Sequence, residues 1–372
     1  MPIRKAASSR SSFDLIKILI NFLLPIGGII FALIIGGIML LFLKVNPLTA
    51  YSAMLHGAVG TTYGLTQTLV KATPLLLVGL GICIASRAMM FNIGGPGQII
   101  IGALVATWLS VTFPNWPGYI LIPSCILLGF LGGALWGFVP AILKVRLLVN
   151  EILTTIMLNA IALLLMNMLI LGPLLDPAQL AQGTYIPQSA ELPTNAWLPR
   201  LIPHTLLNAG SILALVLAFA VYVFLWRTTI GYRIRAVGLN PNASRHSSIN
   251  VAFYQALSLI LAGGFAGIAG VVEVIGVQHR LLQGVDGGYG FTGMVAALLG
   301  GLHPLGLIPA SILFGGFLVG GDSMQRATQV PSTLITAIMG LIILFVSGSA
   351  LWSRRLIARR RIETSKDEEA QS

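Results

Sequence analysis

Long uncharged apolar runs recur along the chain and alternate with short polar segments. A bilayer core about 30 Å thick requires ~20 apolar residues at a rise of 1.5 Å each. Ten runs reach or approach that length, and each predicts a membrane-spanning helix. They lie at residues 18–43, 65–85, 98–113, 118–143, 152–171, 209–226, 251–277, 291–302, 305–321 and 331–350. Because the runs at 291–302 and 305–321 are short and contain glycine, the count of ten is approximate.

Composition places the chain among polytopic membrane proteins. Of its 372 residues, 56% are hydrophobic and only 9% are charged, with a mean hydropathy of +0.90. In a typical soluble domain about 25% of the residues are charged. These values exclude a soluble domain, a disordered chain, a coiled coil and a disulfide-stapled secreted protein. Cys83 and Cys125 lie in apolar runs, which predicts packing residues and neither a disulfide nor a metal site. The predicted fold class is an all-α polytopic membrane protein.

Basic residues are distributed asymmetrically over the polar segments. With a cytoplasmic N-terminus, the ten spans place 17 of the 22 Lys and Arg residues inside and 5 outside, as the positive-inside rule requires. The net charge of +11 then reflects cytoplasmic loops, and no nucleic-acid partner is expected. The predicted organisation is a cytoplasmic N-terminus at 1–17, a membrane domain at 18–350 and a cytoplasmic tail at 351–372, held near anionic lipid. Within the membrane domain, the proline-rich loop 172–208 is external and the basic loop 227–250 is cytoplasmic.

Two short segments indicate an internal repeat. Residues 122–129 and 308–315 are identical at five of eight positions. In the predicted topology they cross the membrane in opposite directions, which makes the two halves inverted repeats. Each copy follows a glycine-rich break, at 91–98 in the first half and at 284–293 in the second. Interrupted segments at corresponding positions of two halves are typical of a substrate path near the middle of the membrane.

A few polar side chains lie inside the apolar runs, where a charge costs on the order of 2.5–3.5 kcal/mol. Glu273 follows a stripe of small residues; it lies either on the translocation path or at the interface, paired with Arg280. Asn159 either contacts substrate or holds a neighbouring helix. Asn92 and Gln98 flank the first break, where they either contact a ligand or satisfy backbone groups that the break leaves unpaired.

Motifs of catalytic chemistry are absent from the sequence. It contains neither the Gly-x-x-x-x-Gly-Lys-Ser/Thr phosphate loop nor the Gly-x-Ser-x-Gly nucleophile motif. His279 and His303 lie at span ends without a third candidate metal ligand. We therefore expect no catalytic residue, no metal site and no cofactor in this chain.

The basic loop carries the most specific motif. Residues 228–245 read Thr-Thr-Ile-Gly-Tyr-Arg-Ile-Arg-Ala-Val-Gly-Leu-Asn-Pro-Asn-Ala-Ser-Arg, with a short helix predicted after Pro241. This segment resembles the cytoplasmic coupling segment of bacterial ABC importer permeases. The similarity is to the branched-chain amino acid/ribose-type superfamily, in its nucleoside (simple-sugar) branch. The segments Phe91–Gln98, Asn150–Asn159, Gly267–Glu273 and Gly288–Gly306 also resemble that branch, except that Pro96 stands where the family has Glu.

The resemblance implies a type II ABC importer-like permease with no catalytic chemistry of its own. A second permease subunit, like or paralogous, would complete a path for nucleosides or related simple sugars. Cytoplasmic ABC ATPases that bind the ATP would dock on 227–250, and an external lipoprotein would deliver the substrate. The implied location is the bacterial inner membrane, with both termini cytoplasmic. The alternative is an ion-coupled secondary transporter that uses Glu273, although the scarcity of intramembrane acids argues against it.

The resemblance also implies site residues. Those expected on the substrate path are Phe91, Asn92, Gln98, Asn159, Glu273, Tyr289 and Phe291. Those expected to couple to the ATPase are Gly231, Arg233, Arg235, Ala236, Gly238, Asn240, Pro241, Ala243 and Ser244.

Overall fold

The computed structural model describes residues 27–178 and 186–348, apart from 332, 333, 335, 343, 346 and 347. The predicted terminal segments 1–17 and 351–372 lie outside the described residues. The chain divides into two compact units. One comprises Ala58–Val319, and the other combines residues up to Gly57 with those from Gly320 onward. Each unit is described by itself.

The described residues are predominantly helical. The helices are α1 Gly27–Phe42, α2 Pro47–Val59, α3 Thr62–Arg87, α4 Gly95–Thr112, α5 Gly118–Leu147, α6 Glu151–Ile170, α7 Ala209–Arg227, α8 Thr229–Leu239, α9 Pro241–His246, α10 Val251–Glu273, α11 Tyr289–Leu299 and α12 Pro304–Thr328. A π-helical turn at Val274–Gln278 extends α10. A short turn of 3-10 helix spans Thr194–Ala196, and residues 336–342 are largely helical.

Most of the described residues of the predicted spans are helical. Seven described helices are long and apolar enough to cross a membrane: α3, α4, α5, α6, α7, α12 and α10 with its extension. The described part of α1, and α11, are shorter apolar helices. The run 331–350 is only partly described. Helix α2 was not predicted, and it begins where Asn46 accepts a hydrogen bond from the Leu48 amide (2.9 Å) and Pro47 occupies the first turn.

Polar caps determine where several spans begin. The Asn150 side chain accepts a hydrogen bond from the amide of Ile152 at the start of α6 (2.9 Å). Asn208 caps α7 through Gly210 and Asn250 caps α10 through Phe253, at 2.9 and 3.0 Å. Such a cap satisfies an amide that has no partner within the helix and stabilises the helix by about 1 kcal/mol. Each asparagine stands where a polar segment meets an apolar run, so the span starts at that boundary.

The larger unit is built around α3 and α10, which are mostly buried. Helix α10 crosses α5 at Gly263 and Gly133, where a Cβ atom on either glycine would collide with the backbone carbonyl of the other. Small residues therefore let the two backbones approach closely, as the stripe before Glu273 predicted. By contrast, α6 and α7 are largely exposed and apolar, which suits contact with lipid or with a second subunit.

Helices of the two predicted halves pack against one another in this unit. Helix α10 of the second half packs against α4 and α5 of the first half, whereas α3 of the first half packs against α11. In the two similar segments, Gly129 of α5 faces Val271 of α10, and Gly315 of α12 faces the Thr68 carbonyl of α3. Each predicted half thus has a helix packed against the other half, and the inverted repeat stays a prediction.

Segments predicted to share a side of the membrane gather at the same end of this unit. At one end, the loop 186–208 reaches the segment 112–117 and the end of α10, with Asn195 Nδ2 donating to the Pro114 carbonyl (2.8 Å). In the same loop, the Leu198 amide donates to the Ile275 carbonyl (3.0 Å). At the other end, Arg87 donates to the Leu302 carbonyl (3.0 Å) beside the basic segment.

The smaller unit contains α1, most of α2 and the described residues from Gly320 onward. The Tyr51 hydroxyl donates to the Leu33 carbonyl and so ties α2 to α1. The rings of Phe31 and Phe345 meet edge to face at 4.8 Å. In this unit, side-chain packing therefore joins α1 to α2 and to the helical segment around Phe345.

Candidate functional site

The first glycine-rich break separates α3 from α4. Asn92 and Gln98 are buried there and form two reciprocal amide hydrogen bonds, of 2.9 Å and 3.1 Å. The Asn92 side-chain oxygen also accepts from the Gly94 amide (3.0 Å). The sequence left open whether these two amides contact a ligand or the break. In the structure, both are hydrogen-bonded within the break itself.

Asn159 connects the break to α6. Its side-chain oxygen accepts from the Gly97 amide (2.9 Å), and its nitrogen donates to the Ile93 carbonyl (3.0 Å). Both backbone groups are left without partners by the interruption, and at membrane depth such groups cost several kcal/mol if unpaired. Asn159 thus holds a neighbouring segment, one of the two alternatives considered for it.

The two breaks meet inside the unit. Gly290, at the start of α11, packs against Pro96 so closely that a Cβ atom at Gly290 would collide with the proline ring. Pro96 therefore packs against the start of the second predicted half. Tyr289 is buried beside this contact, while Phe91 and Phe291 are exposed on the surface of the unit.

A pocket of about 210 Å³ lies between α3, the first break and α11. It is lined by Ile82, Ser86, Met89, Met90, Phe91, Asn92, Met294, Leu298 and Leu302. Seven of the nine lining residues are apolar, and three of these are methionines. Its polar residues are Ser86 and Asn92, and the Asn92 amide is already hydrogen-bonded within the break. The pocket is therefore an apolar recess beside the segment that the sequence assigned to the path.

Glu273 is buried at the end of α10, where it accepts a hydrogen bond from Gln278 (3.1 Å). Its suggested pairing with Arg280 is wrong, because Arg280 pairs with Glu191 (3.3 Å) after the chain turns away from α10. Lys71 of α3 is a cation that attracts the Glu273 carboxylate over a longer distance than a direct ion pair.

Sequence reasoning missed Lys71, which was counted with the external charges. Its ammonium group donates to the Tyr289 hydroxyl (2.8 Å) and lies 5.4 Å from the centre of that ring. Lys71 of the first half therefore contacts Tyr289, a predicted path residue of the second half. The signal was available, because Lys71 lies inside the predicted span 65–85.

The basic segment folds into α8 and α9, which confirms the short helix predicted after Pro241. Thr228 caps α8 by accepting from the Gly231 amide (3.1 Å). Asn240 caps α9 by accepting from the amides of Asn242 and Ala243 (3.1 Å each). Gly231 and Ser244 are buried, Ala236, Gly238 and Pro241 are partly buried, and Asn240 and Ala243 are exposed.

The two arginines of α8 contact membrane helices. Arg233 donates to the Tyr254 hydroxyl of α10 (2.8 Å), and the Arg235 guanidinium lies 5.6 Å from the centre of the Trp226 ring on α7. The prominent exposed side chains are Tyr232 and Leu239, the latter 87% exposed. Sequence reasoning missed both, although an apolar residue in a basic segment was a visible signal.

His279 and His303 lie at opposite ends of the unit. His279 stacks on Trp197 with ring centres 3.9 Å apart, and burial together with Arg200 lowers its pKa. Burial and the nearby Arg87 lower the pKa of His303. In the part of the chain that the structure describes, no three His, Cys, Asp or Glu side chains gather as metal ligands.

Known proteins resemble the chain over most of its length. Residues 64–347 match the family model for the permease component of branched-chain amino acid transport systems. The guanosine ABC transporter permease protein NupP of Bacillus subtilis is 34% identical over 90% of this chain and 95% of its own. The glucose ABC transporter permease protein TsgB13 of Haloferax volcanii is 34% identical, over 89% and 88%. The nucleoside ABC transporter permease protein NupB of Lactococcus lactis is 33% identical, over 87% and 90%. No solved structure matches.

Proposed function

We propose that the chain carries nucleosides. It belongs to the family of permease components of branched-chain amino acid transport systems and is a permease subunit of an ABC importer. The family and the predicted fold class are thereby confirmed, and an ion-coupled secondary transporter is not the function that this family implies. The relatives named above are described as permeases for guanosine, nucleosides or glucose. Because these relatives differ in substrate, the residues of this chain must distinguish a nucleoside from a sugar.

The observation that supports a nucleoside is the methionine-lined pocket beside the first break. Its volume of about 210 Å³ is below the roughly 300–1,000 Å³ of pockets that enclose a whole ligand. It therefore suits the base alone, with the ribose outside. Methionine sulfur stabilises an aromatic ring by about 0.3–1.5 kcal/mol per contact. A hexose in the same place would leave hydroxyl groups unpaired, at about 1–3 kcal/mol each.

The test is uptake by the complete importer in proteoliposomes, with labelled guanosine, labelled uridine and labelled glucose as probes. Replacing Met294 by Trp fills the pocket, so we expect the KM for nucleoside uptake to rise about tenfold, which corresponds to ~1.4 kcal/mol of lost binding. Met294→Leu preserves the volume and should remain within about twofold. The control Met168→Trp alters an exposed methionine on α6. ATP-driven glucose uptake that nucleosides do not inhibit would contradict the proposal.

We propose that the ATPase binds α8 and α9, that ATP is bound by that partner, and that this end of the molecule is cytoplasmic. The excess of Lys and Arg in the inner segments supports the orientation. The exposed apolar side chains of Tyr232 and Leu239 support a protein partner at this surface. A second permease and an external binding lipoprotein complete the proposed assembly, in line with the importer family.

Copurification tests the docking surface. The double variant Tyr232→Ala, Leu239→Ala should lose about nine-tenths of the bound ATPase, because exposed aromatic and apolar anchors carry most interface energy. Leu201→Ala, an exposed leucine in the segment proposed as external, is the matched control. Full retention of the ATPase by the double variant would place the docking surface elsewhere.

A further inference from the structure

Four side chains from four elements meet at the proposed cytoplasmic end. They are Arg87 at the end of α3, Trp226 at the end of α7, Arg235 of α8 and His303 in the turn between α11 and α12; together they are called the Trp226 cluster. The guanidinium groups of Arg87 and Arg235 lie 5.1 Å and 5.6 Å from the centre of the Trp226 ring. The His303 ring lies 4.7 Å from it. Trp226 is therefore the common contact of three other elements.

The indole ring holds together two groups that repel each other. Arg87 and Arg235 carry like charges that act on one another, and no acidic side chain pairs with either among the described residues. The Nε atoms of both arginines are buried and have no hydrogen-bond acceptor in that part of the chain. The negative face of the indole ring attracts both cations. Removing the ring would remove the attraction that keeps α8 against α3.

Helix α8 is also fixed to α3 by its backbone. Gly238 lies so close to the Arg87 carbonyl that a Cβ atom there would collide with it. Arg87 in turn donates to the Leu302 carbonyl at 3.0 Å. A displacement of α8 therefore acts directly on the end of α3 and on the turn after α11.

These same two elements form walls of the methionine-lined pocket. Ile82 and Ser86 precede Arg87 on α3, and Leu302 precedes His303 in the turn. We infer that the Trp226 cluster transmits movement of the ATPase-binding helices to both walls of the pocket, with Trp226 as the positioning residue. The inference rests on the proposed ATPase-docking role of α8 and α9. Evidence for such a connection is a change in the amount of substrate taken up per ATP hydrolysed.

The test compares ATP hydrolysis with guanosine uptake by the complete importer in the same proteoliposomes. For Trp226→Ala we expect ATPase binding and hydrolysis within about twofold of the unmodified importer, and uptake per ATP reduced about tenfold. Trp226→Phe keeps an aromatic face and should restore most of the ratio. Trp108→Ala, an exposed tryptophan of α4, is the control and should leave the ratio unchanged. A purely structural role would lower the amount of protein and leave uptake per ATP unaltered.

The outcomes separate this inference from the proposed function. Unaltered uptake per ATP in Trp226→Ala would overturn the inference alone. If that variant does not accumulate in the membrane, Arg235→Leu, which removes one cation from the ring, should lower the same ratio, and an unaltered ratio would again overturn it. If the unmodified importer hydrolyses ATP without taking up any nucleoside, the proposed substrate is wrong, and the ratio is then measured with glucose. Failure of the ATPase to bind the unmodified permease contradicts the docking proposal and the inference together.

Discussion

Replacing Lys71 by Met tests whether Glu273 and Lys71 act as a charge pair inside the membrane domain. The substitution keeps the length of the side chain but removes the ammonium group that donates to Tyr289 (2.8 Å) and acts on Glu273. A hydrogen bond to a charged group contributes about 1.5–3 kcal/mol, and contacting charged residues couple by roughly 0.5–3 kcal/mol. Because Lys71 is only half-buried, we expect a loss near the low end, about 2 kcal/mol of unfolding free energy.

The assay is a double-mutant cycle on the purified permease in detergent. Unfolding free energies are measured for Lys71→Met, Glu273→Gln and the double variant. Since Glu273→Gln removes the carboxylate charge while keeping the hydrogen bond to Gln278, we expect the double variant to be about 1 kcal/mol more stable than the sum of the single effects predicts. Lys44→Met, at an exposed lysine in the smaller unit, is the control. Strictly additive effects would refute the charge pair and would leave Lys71 as a partner of Tyr289 alone.

Three further predictions concern the break, the helix crossing and pH. Asn159→Leu should lower the free energy of unfolding by about 2–4 kcal/mol, because two backbone groups of the break lose their partners. The control Asn167→Leu, on the same helix, should lower it by under about 1 kcal/mol in the same assay. Gly133→Ile should abolish stable folding, measured as monodisperse protein in detergent, because its side chain collides with α10. Burial and Arg87 lower the pKa of His303 from 6.5, so the neutral form is favoured in the folded state. The free energy of unfolding should then fall as the pH drops below about 6.5. Measured between pH 7 and 5, this loss should be smaller in His303→Phe.

Several elements of the fold were predictable because membrane insertion imposes a simple rule. An apolar run of sufficient length must form a helix, since no other open structure satisfies its backbone in lipid. The runs at 118–143 and 209–226 became α5 and α7 with little change. Helix α2 escaped prediction because it is neither long nor uniformly apolar, and its start depends on a local cap at Asn46.

The candidate site was only partly predictable. The sequence singled out Asn92, Gln98 and Asn159 as polar groups in apolar surroundings. It left open whether they contact a ligand or the backbone, because that choice depends on which amides and carbonyls come within 3 Å of them. Lys71 and Trp226 acquire their roles from residues more than 100 positions away, such as Tyr289 and Arg87.

The amino-acid sequence by itself determined the helical membrane class, the approximate spans and the motif of the basic segment, because hydropathy and short motifs are local properties. Only the tertiary structure decided that the two breaks touch at Pro96 and Gly290 and that Arg280 pairs with Glu191. It also decided that the arginines of α8 contact aromatic rings of α7 and α10. Such contacts join distant parts of the chain. Their geometry follows from how closely glycine-rich helices can pack, which no single segment encodes.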